Sequence, residues 1–81
     1  MDGSRIIIRF QDGVSVDDAL LRDLERRAGV SLRYVRPMAG GAHVLRLDGQ
    51  VPAAVMEEAL RRLRQDPRVR YAEPDIRLKT Q

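Results

Sequence analysis

Cysteine, tryptophan and asparagine are all missing from this chain, and histidine occurs once, as His43. Without cysteine no disulfide can brace the fold and no thiolate can hold a metal. A lone histidine cannot assemble a zinc centre by itself, so His43 reads as a structural or partly exposed residue, and no metal or other cofactor is expected. Ser4, Ser15 and Ser31 lack the setting of an activated nucleophile. No phosphate-cradling glycine motif occurs, and Gly40-Gly41 reads as a hairpin loop. The few aromatics, Phe10, Tyr34 and Tyr71, lie outside the strand motifs on which RNA-recognition domains stack bases. Apolar runs stay far short of the roughly 20 residues of a membrane span. These absences point away from catalysis and toward a chain that works by binding.

What is present suits one small domain. The chain has 81 residues, 43% hydrophobic and 33% charged, with 15 basic and 12 acidic residues for a net charge of +3. A domain of this size buries a modest share of its surface, so its own stability should be marginal. Fourteen of the basic residues are arginine, which gives some support to a nucleic-acid patch. The two signs are interspersed, however, as in Asp23 to Arg27 and Glu57 to Arg62, which predicts solvated helix faces with i,i+3 and i,i+4 pairs. Met1 to Ser4 has no basic segment followed by an apolar one, so it is not a signal peptide.

Periodicity divides the chain into six elements. Ile6 to Phe10 is a β-branched run ended by Gln11-Asp12-Gly13, a strand and a turn. Ser15 is the expected N-cap of a helix, with Asp18 reaching back to complete a capping box. Leu20, Leu21, Leu24 and Ala28 form its apolar stripe, and Gly29 stops it. Leu32 to Arg36 and Ala42 to Leu47 read as a hairpin. Pro52 suits the first turn of a second helix, whose buried face is expected to be Val55, Met56, Ala59, Leu60 and Leu63. Pro67 ends that helix by restricting the residue before it. Val69 to Ala72 is a fourth strand, closed by Glu73-Pro74-Asp75.

The order βαββαβ predicts an α+β, ferredoxin-like sandwich: a four-stranded antiparallel sheet with two helices on one face. Ile6, Ile8 and Phe10 are expected to face the helices, as are His43, Leu45 and Leu47, leaving Arg5, Ile7, Arg9, Val44 and Arg46 on the open side. An uncovered sheet face must meet solvent or a partner. Many functions share this topology. Acylphosphatases use an asparagine, and heavy-metal transfer domains a Cys-x-x-Cys loop; this chain has neither.

The most specific segment is Leu63 to Asp75, with its Asp66-Pro67-x-Val69-x-Tyr71-x-Glu73-x-Asp75 pattern. It resembles the end of the prodomain family of subtilisin-like serine proteases, the propeptide inhibitors. The first strand and Tyr34-Val35 before a glycine-rich loop fit the same family, and the resemblance spans residues 5–81. It implies a secreted or periplasmic intramolecular chaperone and product-like inhibitor. The partner would be the catalytic domain of a subtilisin-like serine protease, with no nucleic acid and no membrane.

In that family the open sheet face lies on two surface helices of the protease, and two carboxylates cap those helices. Glu73 and Asp75 match those positions. The tail then enters the active-site cleft, where the resemblance assigns Leu78, Lys79, Thr80 and Gln81 to the four subsites before the scissile bond. Counting six residues on from Asp75 reaches Gln81, the expected processing point; Gln81 departs from the large apolar residue common there. The resulting division is residues 1–4 as a disordered N-terminus or appended remnant, 5–75 as the prodomain core, and 76–81 as an extended inhibitory tail. A stand-alone inhibitor of the same family is a close variant, and a ferredoxin-like module for RNA or a small ligand is the alternative. Strict alternation along the last strand would put Val69, Tyr71 and Glu73 on one face and turn Arg70 inward, unless a bulge intervenes.

Overall fold

The computed structural model describes residues 4–49 and 51–75. Its elements are β1 (Arg5–Phe10), α1 (Asp18–Ala28), β2 (Leu32–Pro37), β3 (His43–Leu47), α2 (Ala53–Arg64) and β4 (Val69–Pro74), with a short 3-10 turn at Ala39–Gly41. The strands pair antiparallel in the order β2-β3-β1-β4, the ferredoxin-like arrangement.

Both helices cover one face of the sheet. Leu20, Leu24 and Ala28 of α1 and Ala59, Leu60 and Leu63 of α2 pack on Ile6, Ile8, Phe10, Leu32, Leu45, Leu47, Val69 and Ala72. The register explains this selection, because Ile6 stands opposite Leu45 and Ile8 opposite both His43 and Ala72. Period-two side chains on paired strands therefore converge on one side.

Three local expectations shift. The cap of α1 is Asp17, whose Oδ1 accepts from the Leu20 amide at 2.9 Å, while Ser15 is exposed two residues earlier. Val14 and Val16 pack against the core and keep the chain extended as far as Asp17, so the helix cannot begin at Ser15. Pro52 is the N-cap of α2 and not part of its first turn: its ψ of 151° is extended, and its carbonyl accepts from the Met56 amide at 3.0 Å. Val55 is 42% exposed, because it lies on the flank of the stripe formed by Met56, Ala59, Leu60 and Leu63.

Gly29 closes α1 with a φ of 76°, and its amide donates to the Glu25 carbonyl at 2.8 Å. The Glu25 carboxylate accepts from the Leu32 amide at 2.8 Å and ties the helix end to the start of β2. A Cβ at position 29 would meet only Arg62 Nη1, at 3.8 Å, which is ordinary contact. The cost of Gly29→Ala is therefore backbone strain alone, about 1 kcal/mol. Thermal unfolding of that variant is expected about 4–8 °C below the parent; an unchanged midpoint would show that the turn relaxes.

Candidate functional site

The uncovered face of the sheet is ordered in three rows by the strand register. One row runs Arg33 (β2), Arg46 (β3), Arg5 (β1). The next runs Arg36, Val44, Ile7, Glu73 from β2 to β4. The third pairs Arg9 of β1 with Tyr71 of β4. Val44 is buried on this face between its register partners Ile7 and Arg36, although it takes no part in the core cluster. Arg9 lies along the hairpin loop, where a Cβ on Gly41 would come within 3.5 Å of its guanidinium. The face thus has Val44 and Ile7 in its middle row, exposed arginines on β2 and β3, Arg5 and Arg9 on β1, and carboxylates along β4.

Two bulges produce this pattern. Arg9 pairs with Tyr71 and Phe10 with Val69, so Arg70 is the extra residue. Arg70 is exposed, Val69 and Ala72 both reach the core, and Tyr71 and Glu73 both stand on the open face. The inward Arg70 of strict alternation is thereby avoided, since an inserted residue changes the parity of everything after it. On β2, Tyr34 pairs with Leu45 and Arg36 with Val44, which leaves Val35 extra and restores Arg36 to the open side.

β4 also runs two residues beyond the expected Ala72, so Glu73 belongs to the strand. The Asp75 amide donates to the Arg5 carbonyl at 2.9 Å, extending the ladder one residue past β4. Alternation returns Asp75 to the side of Glu73. Glu73 is exposed and Asp75 half-buried. Among the described residues no ion pair engages either carboxylate. Two carboxylates are thus presented side by side at one corner of the sheet. Leu78, Lys79, Thr80 and Gln81 lie outside the described residues.

No family model, curated protein or solved structure matches the chain. Among the described residues no helix is long and apolar enough to cross a membrane, and no group of three or more His, Asp and Glu is placed to hold a metal ion.

The Asp-Pro segment is structural, a role that Pro67 alone does not reveal. Asp66 is 1% exposed. Its Oδ1 accepts from the Arg68 amide at 2.8 Å and Arg68 Nε at 3.0 Å, and its Oδ2 from Arg68 Nη2 at 2.8 Å, while Arg27 Nε forms an ion pair with Oδ2 at 2.8 Å. Arg68 also pairs with Asp23 of α1. The hydrogen bond from Arg68, reinforced by the charge of both arginines, holds the Asp66 carboxyl at about 2, below the usual aspartate value. This network aims β4: the Val69 amide donates to the Asp66 carbonyl and the Gln11 amide to the Arg68 carbonyl, which sets the register that ends at Glu73.

His43 faces the helix side. Its ring sits 6.0 Å from Phe10 and 5.6 Å from Tyr34, and Nδ1 shares a 3.0 Å hydrogen bond with the Tyr34 hydroxyl. That contact joins β2 to β3 on the side away from the acidic corner.

Proposed function

We propose that this domain is the prodomain of a subtilisin-like serine protease, acting as its intramolecular chaperone and product-like inhibitor. The observation that carries the reading is the bulge at Arg70, which brings Glu73 to the open sheet face, with Asp75 held in the ladder two residues on, where alternation gives it the same side. Free N–H groups at a helix N-terminus, together with the macrodipole, favour a carboxylate. Two carboxylates on alternate strand positions suit two neighbouring helix ends, and the half-buried Ile7 and Tyr71 supply apolar surface beside them. The tail that follows Asp75 would enter the cleft by backbone pairing, with side-chain pockets supplying selectivity.

One surface then serves two ends. Binding the folded protease stabilises it by mass action and blocks its cleft. Binding a near-native transition state lowers the folding barrier. Secretion alongside the parent protease follows from this reading. A stand-alone inhibitor would use the same surface. An RNA-binding module would draw on the five arginines of the open face, but Glu73 and Asp75 on that face oppose a polyphosphate.

The test is inhibition. The whole chain, added to a bacterial subtilisin, is expected to give slow, tight inhibition of peptide hydrolysis. Unchanged hydrolysis at a large molar excess would sink the proposal. Glu73→Gln with Asp75→Asn is expected to weaken inhibition roughly 10-fold, from two helix-end contacts of about 0.3–1 kcal/mol each. Its circular dichroism should match the parent, because the pair makes no ion pair within the described fold. Equal potency would show that the corner does not meet helix ends.

A further inference from the structure

The open face is electrically polarised. Arg33, Arg36 and Arg46 are exposed on β2 and β3, and Arg5 stands beside them on β1. Arg46 lies directly opposite both Arg5 and Arg33, a row of three like charges across three strands. Such juxtaposition is destabilising in the free domain. Among the described residues only Arg33 of these four has an ion-pair partner, Asp48 at 3.1 Å. Arg5 Nε is buried and finds no hydrogen-bond acceptor among the described residues. Glu73 sits at the other edge: with strands about 4.8 Å apart, it is roughly 10 Å from β3 and 14 Å from β2, while Asp75, whose amide donates to the Arg5 carbonyl, borders the end of the arginine row.

We propose that the arginine half of this face docks onto carboxylates of the partner protein, so that the partner surface is itself polarised. This rests on the reading of the face as a protease-docking surface. Helix N-termini lie under Glu73 and Asp75, and Asp or Glu side chains lie about 10–14 Å away, under β3 and β2. Guanidinium groups engage carboxylates through paired N–H donors, and the half-buried Ile7 between them and Glu73 keeps water from the centre of the contact. Opposed charges at the two ends of one face also fix its orientation on the partner. A protein is favoured over nucleic acid because a phosphate chain crossing the arginines would run onto Glu73 and Asp75. The arginines thus govern how fast the partner is found and which partners are accepted, while the acidic corner and the tail hold it.

The experiment pairs two chains with two proteases. The chains are the parent and Arg33→Gln/Arg36→Gln/Arg46→Gln, whose folding is checked by circular dichroism. The proteases are a bacterial subtilisin as isolated and a form with glutamates placed on its docking helices beneath β2 and β3. The parent is expected to associate about 10-fold faster with the glutamate-bearing form at low salt, the gain vanishing near 0.5 M NaCl. The triple variant should show no gain. Equal association rates for both proteases, with inhibition intact, would overturn the polarised partner and leave the inhibitor reading standing. Absence of inhibition in every pairing would overturn that reading itself. Tight, salt-sensitive binding of poly(U) by the parent, lost in the triple variant, would place RNA on this face and overturn both.

Discussion

Asp66→Ala is expected to remove about 3 kcal/mol of stability and to lower the thermal midpoint by about 15 °C. The carboxylate takes three hydrogen bonds, all from Arg68 and one of them from its amide, and an ion pair with Arg27, and its side chain is fully buried. Deleting it strands that amide and releases two guanidinium groups. Both arginines are at least a third exposed and recover hydration, which holds the loss to the lower end of the range for broken buried pairs. A domain of this length has on the order of 4–12 kcal/mol in total, so the loss is a large share of it.

The same residue sets an acid limit. Its carboxyl is held at about 2 in the fold, against an ordinary value of 3.8. A folded pKa below the unfolded one means stability that is complete above about pH 4 and lost as pH falls toward 2. The contribution is roughly 1–2 kcal/mol once the exposure of the arginine partners is discounted. Asp23, also lowered, chiefly by the hydrogen bond from Arg68, acts in the same direction. Glu58, held at about 2 by hydrogen bonds from Arg61 and Arg62 against an ordinary value of 4.5, adds a smaller, solvent-screened share, so thermal midpoints are expected to be level from pH 7 to about 5 and to fall below it. Asp66→Asn should flatten that fall; an unaltered acid profile would show that the carboxylate is not the group responsible.

Deleting Leu78 to Gln81 is expected to weaken inhibition about 1,000-fold while leaving the fold intact. Under the prodomain reading those residues fill four subsites, with Leu78 in an apolar pocket. Burying that leucine is worth about 1.5–3 kcal/mol, and each backbone hydrogen bond to the cleft about 1 kcal/mol net. A loss near 4 kcal/mol corresponds to about 1,000-fold. The fold should survive because the packed core and the described β1–β4 ladder, up to the hydrogen bond from the Asp75 amide to the Arg5 carbonyl, lie before the deleted segment. The readouts are the inhibition constant and the thermal midpoint. Undiminished potency would show that the tail is not the cleft ligand.

Much of the architecture was readable along the chain because it rests on short-range physics. Ile6, Ile8 and Phe10 alternate, Leu20, Leu24 and Ala28 recur at helical spacing, and Gly29 supplies the left-handed stop. Those patterns specified six elements, their order and the core face of β1 and β3. The cap of α1 was misplaced by two residues because the packing of Val14 and Val16, a tertiary effect, decides where the chain leaves extended geometry. Alternation assigns Arg5, Arg9 and Arg46 to the open side, but sequence alone does not place Arg33 and Arg36 beside them. They differ in parity along β2 and share a face only because the bulge at Val35 lies between them.

Local patterning, then, is enough for the βαββαβ order and the apolar stripes, since these depend on residues within a turn or a strand of one another. The faces of β2 and β4, the burial of Asp66 and the split of charge across the sheet were settled only when distant strands paired. Whether a strand carries an extra residue depends on its partner's register, and a single insertion reverses every side chain beyond it. Interactions that span the chain, such as Asp23 with Arg68, leave no periodic trace in the primary structure.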